Sequence, residues 1–451
     1  MKLIKFSAEN VYGYLKFDIT FNNDLSFLVG GNGSGKTTVL KLIQAILTPN
    51  LKDIYLIPYE KMALEFEKDN KKYTIFIEKT KIKISIFLDG NHEEKLTLDN
   101  IHDQDELAYI LSREEKSIDF FNKKLFEQKT NHIFKFIHEI EVPLFLGLER
   151  RENNRDEDHF FHEKILLRNS GKGIIRHNRY IDGSLGQSLQ ETQEIVKNVY
   201  EKIRRKEDFQ RKKLRDDILL TSFNFANFGD LLDSNGDFKT MNIDEQFNIT
   251  TKKEAIANAL KNIGFDRDKN LKEMEDFFLK IEGLFSEMKN SDTKGVNIAW
   301  LINKSQIDRI LKLIELIDES NAKVEKSYET INKFIDTVNH FLGDTKKSIE
   351  VDNIGNLKIK KPNGQYATID ALSSGERQLI VMFSHLVFKN ESNPSGVFII
   401  DEPELSLHLK WQEEFVQYAL ESSPKTQLIL ATHSPEIFAG YENKVIQVKG
   451  I

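Results

Sequence analysis

Apolar and polar residues alternate in short runs over residues 2–30, in "LIKFSAENV", "LKFDITF" and "LSFLV". A period of two predicts β-strands. At 36–47, "KTTVLKLIQAIL", the apolar spacing widens to threes and fours and predicts a helix. "KYTIFIEKTKIKISIFLDG" (72–90) predicts a β-hairpin, after which the pattern turns helical and charged. "EVPLFLGLERR" (141–151) returns to a strand that ends in a polar tip. Helices dominate again until about 345, and strands reappear in the hairpin "NLKIKKPNGQYATI" and in the apolar runs "SGVFIID" and "TQLILATHS". The two ends therefore predict one α/β head, a mixed sheet with helices, built from 1–100 and 346–451. Residues 101–150 are a helical segment leading back to a head strand, and 151–345 form a helical insertion.

Within the insertion, apolar residues recur at alternating spacings of three and four from Ile307, through Ile310, Ile314 and Ile317, to Leu342, interrupted only by Asn321. This is a heptad seam, and a helix over 303–342 would be about 60 Å long. Two readings are open. One is a long lid helix packed on its neighbours. The other is a short antiparallel coiled-coil arm, paired with 252–289 folded back through "SDTKGVN", in which Asn321 sets the register.

The 451 residues exceed what one simple core holds. Hydrophobic residues make up 39% and charged ones 30%, enough for a core and for long solvated helices. The net charge of −7 gives no reason to expect nucleic acid from overall charge, although it leaves room for a local basic face. Without cysteine, disulfide and thiolate chemistry are excluded. No signal-peptide pattern opens the sequence and no apolar run approaches the roughly 18 residues of a membrane span. A soluble cytoplasmic protein without membrane contact is the expectation.

Four stretches carry candidate chemistry. "GGNGSGKTT" follows the apolar run "LSFLV" and opens a helix, with Gly30, Gly35, Lys36 and Thr37 at P-loop spacing. Glycines let main-chain N–H groups converge on a phosphate, the lysine reaches the β- and γ-phosphates, and the hydroxyl serves Mg²⁺. Gly30, Asn32, Gly33, Ser34, Gly35, Lys36, Thr37 and Thr38 are the candidate binding set. In "GVFIIDEPELSLH" the apolar strand ends at Asp401, suited to Mg²⁺ directly or through water, with Glu402 beside it to orient and deprotonate a water. "LILATHS" ends a second apolar strand at His433, a candidate γ-phosphate contact. "ALSSGERQLI" reads as a capped helix start, with Ser373 as cap and Glu376 reaching back. A helix start also binds anions.

Together the four stretches resemble the motif set of the ABC ATPase superfamily. "LSSGE" is similar to its LSGGQ signature, with Ser374 in place of a glycine and Glu376 in place of glutamine. The resemblance covers 1–100, 136–150 and 346–451. It implies that Ser373, Ser374, Gly375 and Glu376 contact ATP held by the P-loop of a second copy. A homo-oligomer, dimer or higher, joined by ATP sandwiches then follows, with ATP and Mg²⁺ as cofactors, Thr37 and Asp401 on the metal, and Glu402 and His433 in catalysis. The large helical insertion resembles the SMC/RecF/OLD branch. "DEPELSLH" with "ATHSPEIF" is similar to OLD-type ATPases of bacterial anti-phage defence, including the ATPase subunits of PARIS and Septu systems. That resemblance implies an ATPase that senses infection and controls a separate nuclease or toxin effector. The alternative is a RecF- or SMC-like ATPase acting on DNA in repair or maintenance.

Departures from the pattern are specific. The "LHP" that usually follows the acidic strand is "LHLK" here, so the proline is absent. No Q-loop glutamine is evident: Gln44 lies inside the P-loop helix, and the polar tip offers Arg150 or Arg151. The sequence runs only 18 residues beyond His433, so neither a Toprim domain nor nuclease activity is expected of this chain. "DSNGD" (233–237) lacks EF-hand spacing, and "HFFHEK" (159–164) reads as a polar helix face. The basic run "EKIRRKEDFQRKKLRDD" (201–217) reads either as a solvated helix face or, at 202–215, as a surface for DNA or an acidic phage protein.

Overall fold

The computed structural model describes residues 1–48, 51–90, 95–100, 124, 127–128, 130–140, 142–147, 180–181, 185–221, 252–262, 275–276, 278–280, 282–283, 298–392 and 396–449. In chain order the first elements are β1 (Lys2–Val11), β2 (Leu15–Thr20), β3 (Leu25–Val29), α1 (Lys36–Leu47), α2 (Leu51–Leu56), β4 (Lys61–Lys68), β5 (Lys71–Lys79), β6 (Lys83–Leu88), β7 (Lys95–Asp99), α3 (His132–Glu139), β8 (Leu144–Leu146) and β9 (Tyr180–Ile181). Three helices follow: α4 (Leu185–Thr221), α5 (Lys253–Asn262) and α6 (Ile298–Leu342). The chain closes with β10 (Ser348–Val351), β11 (Leu357–Lys360), β12 (Tyr366–Ala367), α7 (Ser374–Ser392), β13 (Val397–Asp401), α8 (Leu409–Ser422), β14 (Gln427–Thr432), α9 (Pro435–Phe438) and β15 (Val445–Gln447).

Residues 1–197 and 333–451 form one compact unit and 198–332 another. In the first, the mixed α/β expectation is realised as separate sheets. One is antiparallel, in the order β2-β1-β4-β5-β6-β7, and one is parallel, in the order β15-β3-β14-β13-β8-β9. Their sequences differ as their surroundings demand. β2 alternates buried and exposed positions, the mark of a sheet with one wet face. β14 is buried at every position and β13 at all but its last, as strands covered on both faces must be. Helix α1 buries Val39, Leu40, Leu42, Ile43, Ile46 and Leu47. A helix apolar nearly all round has to lie inside, and α1 shares one core cluster with residues of both sheets. Each such Leu or Ile contributes about 1.5–3 kcal/mol by leaving water. Gln427 at the start of β14 is fully buried and stitches the sheets. Its amide oxygen accepts from the Leu3 N–H, and its amide nitrogen donates to the Leu3 and Asn22 carbonyls, all at 2.7–2.8 Å. A third, small antiparallel sheet, β10-β11-β12, contains the hairpin expected from "NLKIKKPNGQYATI".

In the second unit, Glu207 of α4 is the polar anchor. It pairs with Arg204 and Arg211 of its own helix and accepts the Tyr328 hydroxyl of α6 at 2.9 Å. Lys252, just ahead of α5, pairs with Asp318 of α6 at 3.1 Å. So α6 has partners in α4 as well as in the 252–289 segment. The expected seam is buried at Ile307, Ile314, Ile317 and Ile331, but Asn321 is exposed and Ser320 is the buried residue beside it. The register role expected of Asn321 therefore fails: its amide stays in water, where its hydrogen bonds are met at no cost, and the small Ser320 turns inward. The link "SDTKGVN", Arg150, Arg151, "HFFHEK" and "DSNGD" lie outside the described residues. Among the described residues no helix is long and apolar enough to cross a membrane.

Candidate functional site

The parallel sheet brings three strand ends to one edge. Val29, the last residue of β3, pairs with Thr432 of β14, and Ala431 pairs with Asp401 of β13. Because the strands are parallel and in step, the glycine loop, His433 and Asp401 leave the sheet side by side. That edge, beyond the carboxyl ends of parallel strands, is where such sheets bind ligands.

The loop between β3 and α1 is shaped by a tight approach. Gly35 is the N-cap of α1 with φ +92, and a Cβ there would come within 2.5 Å of the Phe17 ring. Only glycine fits both the conformation and the space. No side chain caps α1, and its first turn carries no acidic residue. Its leading N–H groups and positive dipole end are therefore free to face an anion. Lys36 is 5% exposed, and its ammonium donates to Gly30 O at 3.0 Å, to Gly31 O at 3.4 Å and to His433 Nε2 at 2.6 Å. Burial pulls the Lys36 pKa below its ordinary value, while Asp401, Glu402 and Glu404 act against that shift. Gly30, Asn32, Gly33, Ser34, Thr37 and Thr38 complete the loop and first turn around this lysine.

Three buried oxygens at this edge have no hydrogen-bond partner in the chain: Ser34 Oγ, Asp401 Oδ1 and Glu404 Oε2. Buried polar atoms are normally satisfied, so Ser34 Oγ and Asp401 Oδ1, beside an uncapped helix start and a lysine, fit a polyanion with its cation. Burial raises the Asp401 pKa, a hydrogen bond from Thr37 lowers it, and Glu402 raises it further. The Thr37 hydroxyl and the Asp401 carboxylate thus meet. Two protein oxygens of this kind suit Mg²⁺, which keeps waters and phosphate oxygens for its other positions. Among the described residues no group of three or more His, Cys, Asp or Glu is placed to hold a metal by itself. Glu402 sits at φ +51, uncommon for a residue with a side chain, held there by its N–H donating to Ala431 O at 2.7 Å.

The signature segment is built differently. Ser373 and Ser374 are exposed. Glu376, 1% exposed, accepts from the Ser373 N–H at 2.7 Å, while its own N–H reaches Ser373 Oγ at 3.3 Å, a reciprocal capping box. The same carboxylate receives Lys347 on both oxygens at 2.9 and 3.0 Å and Thr345 at 2.9 Å. Glu376, expected among the nucleotide contacts, therefore points inward and braces the helix start. A Cβ on Gly375 would fall onto the Ser406 carbonyl, so a glycine lets this helix rest on the turn after β13. Lys410 pairs with Asp344 at 2.8 Å, and Trp411 Nε1 donates to the same carboxylate at 3.0 Å. Among the described residues the side-chain hydrogen bonds of Ser373 and Glu376 run to Thr345, Lys347 and one another, and none to this chain's own P-loop.

Sequence reasoning assigned no role to Glu404 or Lys347. Glu404 stands inside the quoted "DEPELSLH", but only the fold brings its carboxylate to His433 N, 2.7 Å away. Lys347 carried no local signal.

A phosphate loop, an acidic strand end and a histidine strand end on one parallel-sheet edge, with a signature helix start in the same chain, define an ATPase of the ABC class. A family model, "AAA domain, putative AbiEii toxin, Type IV TA system", matches residues 25–439, and the chain belongs to that family. It is 26% identical over 222 residues to the Retron Vc95 probable ATPase of Vibrio cholerae serotype O1 biovar El Tor, covering 44% of this chain and 41% of that protein. It is 24% identical over 174 residues to the Retron Ec83 probable ATPase of Escherichia coli, covering 35% and 29%. The chain thus spans less than half the length of these curated relatives. Similar solved structures include the Smc head domain of Pyrococcus furiosus bound to the C-terminal domain of ScpA (13% identity, TM-score 0.41, 97% of this chain and 91% of that one). The SMC head domain of Thermotoga maritima is another (13% identity, TM-score 0.38, 98% and 93%).

Proposed function

We propose that the chain hydrolyses ATP at the parallel-sheet edge, in sites completed by the signature segment of a second copy, and that hydrolysis controls a separate nuclease or toxin effector in anti-phage defence. The observation that carries the hydrolytic reading is the convergence of Lys36, the uncapped start of α1, and the unpartnered Ser34 Oγ and Asp401 Oδ1. Thr37 and Asp401 would hold Mg²⁺, which supplies charge neutralisation on the phosphate oxygens when bound. The main-chain N–H groups of 33–37 and the Lys36 ammonium bind the β- and γ-phosphates. Glu402 accepts a proton from water as the water oxygen bonds to the γ-phosphorus. The bond to the bridging oxygen breaks, and ADP leaves with that electron pair.

The trans arrangement is supported by the division of labour at the signature. The Glu376 carboxylate is engaged inside its own chain, while the exposed Ser373 and Ser374 side chains and the first two N–H groups of α7, those of Ser374 and Gly375, would face a partner's nucleotide. Defence control rests on the family and on relatives whose names mark them as retron ATPases. A direct DNA role has less support. In the basic run Arg204 and Arg211 pair with Glu207, Arg205 with Glu201 and Arg215 with Asp216, leaving Lys202, Lys206, Lys212 and Lys213 as exposed cations. Those four lysines are the surface an acidic effector or phage protein would meet.

The test is Glu402→Gln. Nucleotide binding should persist, with turnover lowered about 10²-fold or more, the usual contribution of a general base. Unchanged turnover removes Glu402 from the mechanism. No hydrolysis by the wild-type chain under any condition removes the hydrolytic reading.

A further inference from the structure

The turn after β13 is unusually well fixed. Glu402 and Ser406 both have positive φ, at 51 and 66. Leu405 N–H donates to Glu402 O at 3.1 Å and Leu407 N–H to Glu404 O at 3.0 Å. Gln412, buried on α8, donates its amide to Leu407 O at 2.8 Å and to Glu404 O at 3.4 Å. A side chain leaving this turn is therefore delivered from a rigid base. Glu404 uses that base to reach the end of β14: its Oε1 accepts the His433 N–H at 2.7 Å. That N–H lies one residue past the strand, where the ladder no longer supplies a partner. The next residue is tied to the same helix, since Ser434 Oγ lies 2.6 Å from Gln412 Oε1 and 2.6 Å from Glu436 Oε2, one hydroxyl proton serving either acceptor.

The consequence falls on the imidazole. His433 is exposed, and its Nε2 lies 2.6 Å from the Lys36 ammonium. Its direction depends on where the main chain at 433 is held, and Glu404 is what holds it. We infer that Glu404 is a positioning residue of the ATP site: it ties the His433 main chain to the turn after β13 and so sets the imidazole against Lys36 where the γ-phosphate is met. This rests on the hydrolytic reading above and adds to it a residue that acts through His433 and not on the nucleotide itself.

An acceptor is required at Oε1, and a charge is not. Glu404→Gln keeps a carbonyl oxygen for His433 N–H, whereas Glu404→Ala removes it. Displacement of a reacting group by about 1 Å can cost on the order of 10²-fold in rate, so Glu404→Ala should lower kcat by about ten- to a hundredfold. Glu404→Gln should stay within about threefold of wild type, a margin small beside that loss. In a His433→Ala background, Glu404→Ala should have no further effect, because the two residues act as one unit. Selective ¹⁵N-histidine labelling gives a reading independent of hydrolysis. The His433 ring signals, assigned by their absence in His433→Ala, should shift in Glu404→Ala and hold their place in Glu404→Gln. Thermal unfolding of each variant identifies any that fails to fold, and the isosteric Glu404→Gln keeps the comparison available. Additive losses in the double variant, Glu404→Gln as damaging as Glu404→Ala, or His433 signals unmoved by Glu404→Ala would each overturn the assignment. If the wild-type chain does not hydrolyse ATP, the hydrolytic reading fails, and the ring signals still decide whether Glu404 ties His433.

Discussion

Two regions of the head use polar side chains in opposite ways. At the parallel-sheet edge, Ser34 Oγ and Asp401 Oδ1 are buried without partners, and Lys36 leans on two carbonyls and an imidazole. At the signature helix start, the Glu376 carboxylate has two lysine contacts, a hydroxyl and a main-chain N–H. Unsatisfied buried groups cost stability and are kept where a ligand will satisfy them. Fully satisfied ones rigidify. The difference teaches that the two halves of the proposed site are prepared differently: one is an acceptor for a ligand, the other a braced surface whose role is to be held still.

Variants can break that contrast in order of expected size. Lys36→Met removes the main positive donor of the first region and should lower kcat by about 10²–10³, as loss of a single electrostatic stabiliser does, with unfolding temperature unchanged or raised. A steady-state assay beside a melting curve checks both parts. In the second region the pattern should invert. Glu376→Ala leaves Lys347 without its buried partner and removes the cap, and should cost about 3 kcal/mol or more of stability in denaturant titration. Lys347→Met with Glu376→Met should recover part of that loss, because replacing both members of a buried pair is often tolerated.

The pH dependence sharpens the same point. Burial pushes the Glu376 carboxyl up, but the Ser373 N–H, Lys347 and Thr345 together outweigh it and hold its pKa below the ordinary carboxylate range. A depressed native value contributes stability that is complete above the unfolded-state value, about 4.3, and is lost as pH falls through the native one. The gap in stability between wild type and Glu376→Gln should therefore be widest at neutral pH and close in acid. A gap constant down to pH values well below 4 would remove the ionised carboxylate from the account. The smallest effect belongs to Leu409→Pro. Leu409 is exposed at the first position of α8, after an extended His408, where proline's fixed φ fits and its missing N–H is not needed. The expected change is within about 1 kcal/mol.

Much of the head was legible because its signals are local. β2 and β5 announced themselves by alternation, and β13 and β14 by unbroken apolar runs. Lys36, Asp401 and His433 could be picked out because each stands where an apolar run meets polar sequence. The capping box of Ser373 and Glu376 was equally readable, being a contact three residues apart. What could not be read joins residues with no fixed spacing. Lys347 on Glu376, Asp344 on Lys410 and Trp411, Glu404 on His433 and Gln427 on Leu3 depend on packing of whole elements. Glu376 shows the limit most clearly: its motif position pointed to nucleotide, and only Thr345 and Lys347, a full helix length away in sequence, turn it into a brace. Asn321 was misplaced because a heptad pattern marks a seam but does not say which neighbours fill it.

The central claim is that the acceptor region of one copy meets the braced region of another across ATP. Sedimentation velocity on the Glu402→Gln chain, which should hold ATP unhydrolysed, tests it most directly. With saturating Mg-ATP it should sediment as a dimer or larger oligomer, and adding Ser373→Arg should return it to the smaller species. A monomer under saturating Mg-ATP, for a chain whose wild-type form hydrolyses ATP at the same concentration, would contradict the claim.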